Sequence, residues 1–200
     1  HSAQNIAFHE IGRQAIMADP NWQNGDYFAK KTFPTKGLAL ARMAAHVTYL
    51  SEQSLAEKFG RKLQNKKNIS YGFDVDFEIE SYLHYQGIKF VDRFDANSYL
   101  YLSRAMDYFD LEEKYEGNLS NAFSHSEDVR FCVISFSDDW LFPTIESKKI
   151  TQALNILGIN VSFLELPSNR GHDSFLIRNL EFEKTLAGFL DGVNKQLNIF

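Results

Sequence analysis

The sequence is short of several things, and each shortage removes a class of protein. It holds one cysteine, Cys132, so no internal disulfide can form. That residue sits in the apolar run Val129-Arg130-Phe131-Cys132-Val133-Ile134, where a buried, inert thiol and a reducing, cytoplasmic setting are the expectation. No stretch of about 18 apolar residues occurs, and no charged-then-apolar leader, so neither a membrane span nor a signal peptide is predicted. There is no excess of positive charge: 21 Lys and Arg stand against 26 Asp and Glu, a net charge of −5. The molecule as a whole therefore has no electrostatic reason to seek nucleic acid or anionic lipid. An initiator Met is also missing, and His1-Ser2-Ala3-Gln4-Asn5 runs directly into a helical pattern, as if the sequence were entered in its middle.

What is present is ordinary globular material, 44% apolar over 200 residues, which excludes disorder as the default. Residues 2–18 place Ile6, Ala7, Ile11, Ala15 and Ile16 at helical spacing, ending before Asp19-Pro20. Residues 20–37 mix Asn, Gly, Asp and Pro with Trp22, Tyr27, Phe28 and Phe33, which predicts an ordered aromatic loop. Helix returns over 38–60, with Leu38, Ala41, Ala45, Thr48 and Tyr49 on one face and a shorter helix beginning at Ser51. Residues 61–72 read as a basic surface loop, and further helices are predicted over about 77–87 and 96–108. Strand signal is nearly absent up to this point.

The texture then changes. Val129 to Ser135 has the β-branched and aromatic character of a buried parallel strand, and Val161 to Leu166 that of a second. Between them Thr144 to Leu157 is helical, with an apolar stripe of Ile150, Ala153, Leu154 and Leu157 and Gly158 as C-terminal cap. Ser174 to Leu197 reads as one long amphipathic helix, with Phe175, Phe182, Leu186, Phe189, Leu190, Val193 and Leu197 on its inner face. Strand, helix, strand, helix predicts an α/β fold with a parallel sheet, whose ligands gather at the carboxyl ends of the strands. Two strands make an incomplete sheet: either the helical first 110 residues wrap them, or the rest of the sheet lies in sequence outside these 200 residues.

Each strand is followed by a loop with ionisable residues: Ser135-Phe136-Ser137-Asp138-Asp139-Trp140-Leu141-Phe142-Pro143 after the first, and Pro167-Ser168-Asn169-Arg170-Gly171-His172-Asp173-Ser174 after the second. Acid precedes histidine, the chain order in which an α/β-hydrolase sets its acid and base after an earlier nucleophile. A carboxylate accepting from one imidazole nitrogen fixes the tautomer, so that the other nitrogen can take a proton from a hydroxyl. The competing readings are a structural His at a strand end and a turn-forming Asp. The other histidines, His1, His9, His46, His84 and His125, show no metal-ligand spacing and read as surface or packing residues, so no metal is expected.

A run of words now carries a resemblance. Asn5-Ile6-Ala7-Phe8, Arg13-Gln14-Ala15-Ile16, Gly37-Leu38-Ala39-Leu40-Ala41-Arg42-Met43, Thr48-Tyr49-Leu50-Ser51, Lys58-Phe59-Gly60-Arg61, Glu80-Ser81-Tyr82-Leu83, Arg93-Phe94-Asp95-Ala96-Asn97-Ser98-Tyr99-Leu100, Asp139-Trp140-Leu141-Phe142-Pro143 and Gly171-His172-Asp173-Ser174-Phe175-Leu176 together resemble the homoserine O-acetyltransferase family. The resemblance extends from residue 2 to about residue 180 in unbroken order. It implies the carboxy-terminal part of an α/β-hydrolase fold with a helical lid inserted: residues 1–19 a core helix region, 20–125 the lid, and 126–200 the end of the core. It makes Asp139, rather than Asp138, the acid of a catalytic triad and His172 its base. It assigns Arg42 and Asp173 to the amino-acid substrate, against structural readings of an exposed helical charge and an N-terminal cap for the last helix. The implied reaction carries an acetyl group from acetyl-CoA to L-homoserine by double displacement, in methionine biosynthesis, with no cofactor beyond that co-substrate. It also implies a homodimer through the lid helices, in which Met43, Tyr82, Leu83, Tyr99 and Tyr101 line either a dimer seam or tunnel, or ordinary helix packing.

The nucleophile of such a triad is missing from these residues. The only two glycines four positions apart are Gly188 and Gly192, and Leu190 stands midway between them, so no Gly-x-Ser-x-Gly elbow exists here. The chain alone is thus expected to be inactive. The alternatives that stay open are a non-catalytic dimerisation or substrate-binding remnant, a succinyl donor, and serine as acceptor.

Overall fold

A computed structural model of the chain describes residues 2–197. His1, grouped above with the histidines that lack metal spacing, lies outside the described residues. The chain divides into two compact units, separated in the sequence between Phe109 and Asp110.

The first unit is helical. Helix α1 (Ala3–Met17) starts where the Ser2 hydroxyl accepts from the Asn5 amide, and it ends ahead of Asp19-Pro20. A 3-10 turn (Pro20–Gly25) opens the aromatic segment, and α2 (Thr35–Tyr49), α3 (Glu52–Lys58), α4 (Glu78–Val91) and α5 (Ala96–Tyr108) follow. The break expected before the shorter helix at Ser51 is present: Leu50 is extended, and the Ser51 hydroxyl accepts from the Ser54 amide to begin α3. Helix α4 runs four residues beyond the expected end at Gly87, because Gly87 sits inside a helix–helix contact and does not cap one. The Glu80 carboxylate takes the Asp76 and Phe77 amides at 2.8 Å each, and Asp95 caps α5 through the Ser98 amide.

Ile16, Tyr27, Leu38, Ala41, Phe90 and Ala96 make the core of this unit. The aromatic loop is ordered as expected. Trp22 Nε1 donates to Asn97 Oδ1 at 3.1 Å, Asn97 Nδ2 donates to the Gly25 carbonyl at 2.9 Å, and the Tyr27 hydroxyl donates to Asp95. Polar residues therefore tie the loop to the start of α5 while its rings fill the core. Between α1 and α5, buried Arg13 meets Asp107 at 2.7 Å and Glu10 at 2.9 Å, and Asp107 also takes His9 Nδ1 at 2.6 Å. Burial raises the Asp107 carboxyl, but the bonds from His9 and Arg13 outweigh it and hold the group below its ordinary value. His46 is buried on α2, with the Tyr82 hydroxyl 3.3 Å from its Nδ1.

In the second unit, α6 (Leu111–Lys114) and a 3-10 turn (Leu119–Phe123) lead to β1 (Phe131–Phe136), α7 (Thr144–Ile156), β2 (Val161–Leu166), a 3-10 turn (Gly171–Leu176) and α8 (Leu180–Leu197). The strands are parallel, in register from Phe131 opposite Val161 to Phe136 opposite Leu166. Among the described residues they are the whole sheet. Helix α7 packs on both strands through buried Ala153 and Leu154. Gly158 at φ +69° closes it, with its amide on the Asn155 carbonyl and the Ile159 amide on that of Leu154.

The expected helix from 174 to 197 is broken. Ile177 is extended, and Asn179 Oδ1 accepts from the Glu181 and Phe182 amides, so α8 begins only at Leu180. Phe175 therefore lies outside it, and Leu186, Leu190 and Leu197 are exposed; the half-buried stripe is Phe182, Thr185, Phe189 and Val193. The division at 109/110 also cuts through the segment that the family resemblance reads as a lid. No helix among the described residues is long and apolar enough to cross a membrane.

Two predictions come from the first unit. A Cβ at Gly37 would overlap the Ala15 carbonyl oxygen and stand 2.7 Å from Ile16 Cα, both backbone atoms of α1. Gly37→Ala is therefore expected to cost about 1–3 kcal/mol in urea unfolding despite the higher helix propensity of Ala. Burial, then the charges of Arg42, Arg93 and Lys58, lower His46 from 6.5 to about 4. Its unfolded form thus binds more protons between those values, and the contribution of neutral His46 is lost as pH falls from 6.5 to about 4. The stability difference between the chain and His46→Gln, measured by thermal melts, should shift against the unaltered chain across that window.

Candidate active site

The parallel pairing puts the carboxyl ends of β1 and β2 side by side, and the two loops that follow them interlock. After β1 the chain turns at once, with the Asp139 amide on the Phe136 carbonyl at 3.1 Å. Asp139 is 8% exposed and its carboxylate is fully engaged. Oδ1 accepts from the Leu141 amide at 3.0 Å and the Phe142 amide at 2.9 Å, while Oδ2 lies 2.8 Å from His172 Nδ1. Two backbone donors thus fix the carboxylate plane, and the carboxylate fixes the imidazole. With the Nδ1 proton directed at Asp139, the basic lone pair of neutral His172 is on Nε2. Phe142 and Phe175 flank the ring, with centroids at 5.0 and 5.5 Å, and limit its rotation.

The histidine loop is held from several sides by residues that the sequence reading passed over. Asp138, set aside in favour of Asp139 as the acid, accepts the Gly171 amide on Oδ2 at 3.2 Å. Gly171 is at φ +70°, a conformation that favours glycine, which explains why glycine precedes the histidine. The Ser174 hydroxyl is buried and donates to the Gly171 carbonyl at 2.6 Å, and it lies 2.5 Å from that of Ser168. Ser168 in turn accepts from the Arg170 amide and donates its own amide to the Ser137 hydroxyl. A signal for these residues existed in the sequence, since short polar side chains crowd both loops. Nothing in a linear reading says which of them cross from one loop to the other.

The structure brings Asp139 and His172 together over 33 positions of sequence. Asp173 stands next to His172 in the 3-10 turn Gly171–Leu176. It does not cap the last helix, which begins seven residues later and uses Asn179. Arg42 lies in the first unit, on α2, where it is half-buried and not an exposed helical charge. Its Nη1 donates to the Tyr49 hydroxyl at 3.2 Å, and its guanidinium stands over the Tyr49 and Phe90 rings at 5.2 and 4.9 Å. Of the residues considered for a seam or tunnel, Tyr82 packs on Phe59 and His46, Tyr99 on the helical core, and Tyr101 is exposed. Cys132 is half-buried on β1, where burial pushes its thiol up and away from reactivity. Among the described residues no three His, Cys, Asp or Glu side chains converge on a metal position.

The fold is that of the α/β-hydrolases: the chain superposes on the crystal structure of esterase E22 with a TM-score of 0.76 at 23% identity, covering 94% of this chain and 51% of that one. It superposes on a homoserine O-acetyltransferase from Bacillus anthracis with a TM-score of 0.75 at 22% identity, covering 86% and 45%. No family model matches the chain. Sequence identity narrows the class. The homoserine O-acetyltransferase of Rhodospirillum rubrum is 61% identical over 192 residues, 96% of this chain and 49% of the relative. That of Zymomonas mobilis is 61% identical over 192 residues, 96% and 51%. The chain belongs to the homoserine O-acetyltransferase family as a carboxy-terminal part, and it spans about half the length of the curated relatives it matches.

The interlock makes a local prediction. Asp138→Ala removes the acceptor of the Gly171 amide, and a hydrogen bond to a charged group contributes about 1.5–3 kcal/mol. Hydrogen exchange at Gly171 should accelerate while that of the β1–β2 ladder stays unchanged, which separates loosening of the histidine loop from global unfolding.

Proposed function

We propose that the protein to which this sequence belongs transfers an acetyl group from acetyl-CoA to the hydroxyl of L-homoserine, and that Asp139 and His172 are the acid and base of its triad. The observation that carries the reading is the 2.8 Å contact between His172 Nδ1 and an Asp139 carboxylate already held by two backbone amides. A carboxylate so fixed selects the Nδ1–H tautomer and stabilises the imidazolium that forms when Nε2 takes a proton. The hydroxyl that Nε2 serves is a serine outside these 200 residues. Its oxygen attacks the thioester carbonyl, His172 passes the proton to the departing thiolate, and coenzyme A leaves. In the second half Nε2 takes the proton of the homoserine hydroxyl, whose oxygen attacks the acyl-serine, and the proton returns to the serine.

Arg42 and Asp173 are read as the clamp on the amino acid. A guanidinium suits an α-carboxylate and a carboxylate suits an α-ammonium. Acetyl, as against succinyl, is the group named for relatives at about 60% identity. A cytoplasmic place in methionine biosynthesis and a homodimer through the lid helices are part of the same reading.

The test is homoserine-dependent release of coenzyme A. The complete protein should show it, and Asp139→Asn should lower kcat by about 10⁴-fold and His172→Ala by about 10⁶-fold, the scale of triad lesions generally. The 200-residue chain alone should show none. Release by the chain alone would overturn the assignment of the nucleophile to sequence outside it, and a complete protein indifferent to both substitutions would overturn the triad.

A further inference from the structure

Three side-chain polar atoms of the first unit are buried without a hydrogen-bond partner among the described residues: Asp107 Oδ2, which Arg13 approaches in an ion pair, and Arg42 Nε and His46 Nε2, which are in none. The latter two side chains come from α2, four positions apart, so they rise one above the other on one face of the helix. His46 is only 7% exposed, so solvent has little access to the orphaned nitrogen. A buried donor without an acceptor is costly, and native structures seldom keep two as neighbours.

The surrounding charge has one sign. The charged groups that act on His46 are Arg42 on its own helix, Lys58 at the end of α3 and Arg93 just after α4; the tyrosines beside it are Tyr49 on α2 and Tyr82 on α4. None of the three cations is in an ion pair among the described residues. Burial and these cations keep His46 neutral at pH 7. The Tyr82 hydroxyl stands 3.3 Å from Nδ1, and the tautomer in which it donates there carries the ring proton on Nε2, which makes the orphaned atom a donor. Arg42 has its Nη1 on Tyr49 and its flat faces on two rings, which leaves the Nε edge of the guanidinium as its unused side. Two N–H donors and an excess of positive charge lack one thing, an anion with more than one acceptor oxygen.

We propose that Arg42 and His46 form a carboxylate subsite in which Arg42 Nε–H and His46 Nε2–H both donate to one bound carboxylate, and that in this protein the carboxylate is that of the amino-acid substrate. The Arg42 half rests on the functional reading above. The new element is His46 as a second substrate-binding residue, and as one that takes up a proton when the anion arrives, because a carboxylate beside the ring offsets the cations that keep it neutral.

Imidazole ¹⁵N–¹H spectra of the chain, recorded during titration with L-homoserine, acetate and inorganic phosphate in separate arms, test this directly. Homoserine and acetate should move the His46 Nε2 resonance and raise the pH at which the ring titrates above about 4. His46→Phe, which keeps the ring packing and removes the donor, should weaken homoserine binding about tenfold. His46→Gln, with an amide N–H in its place, should recover most of the loss. Homoserine binding that depends on Arg42 but leaves the His46 resonance and the His46→Phe variant unaffected would sink the role of His46 while sparing the substrate reading. A response to phosphate alone would overturn the carboxylate assignment. Silence in all three arms would overturn the subsite altogether.

Discussion

Parallel pairing of two strands is the constraint on which the candidate chemistry depends. Antiparallel neighbours would send their carboxyl ends to opposite edges, and the loops bearing Asp139 and His172 would not meet. Here Phe136 is opposite Leu166, and the next residues on both chains turn over the same edge. Ala153 and Leu154 of the crossover helix seat that pair of strands. The loops are then joined by bonds that cross between them: Asp139 to His172, Asp138 to Gly171, and Ser137 to Ser168. The interlock, and not either loop alone, sets the tautomer and the orientation of the imidazole.

The first unit is organised by close approach of backbones. Gly37 lets α2 lie on α1, and Gly87 lets α4 lie against Ala39 of α2, with no room for a Cβ at either crossing. Helix α2 is consequently packed on two sides, and polar side chains on it are drawn into places that water does not reach. That is why Arg42 and His46 keep orphaned nitrogens, and why a histidine among cations stays neutral. The proposed subsite is thus a by-product of the same tight packing that holds the helices together.

Much of this was legible in the linear pattern. Helical spacing, the Asp-Pro stop, the capping serines and acids and the two β-rich runs all report local preferences, and local preferences survive into the fold wherever nothing overrides them. The misreadings have local causes as well. Gly87 reads as a helix end because glycine usually is one, and the last helix reads as continuous because its apolar spacing runs on through residues where the backbone extends and Asn179 starts a new cap. Its expected inner face is partly exposed, since a two-stranded sheet cannot cover it.

By itself the sequence determined the element types, the absence of an internal disulfide, the acid-before-histidine order and the missing serine elbow, because each is a matter of composition or short-range spacing. Family words then singled out Asp139 from Asp138. Only the tertiary structure decided that Asp139 spends one oxygen on backbone amides and the other on His172, that Asp138 anchors the histidine loop, and that His46 packs as a buried ring between Tyr49 and Tyr82 with its Nε2 unpartnered. Those outcomes depend on which atoms meet across tens of residues and on which ones water cannot reach, and neither quantity is encoded in the order of neighbours along the chain.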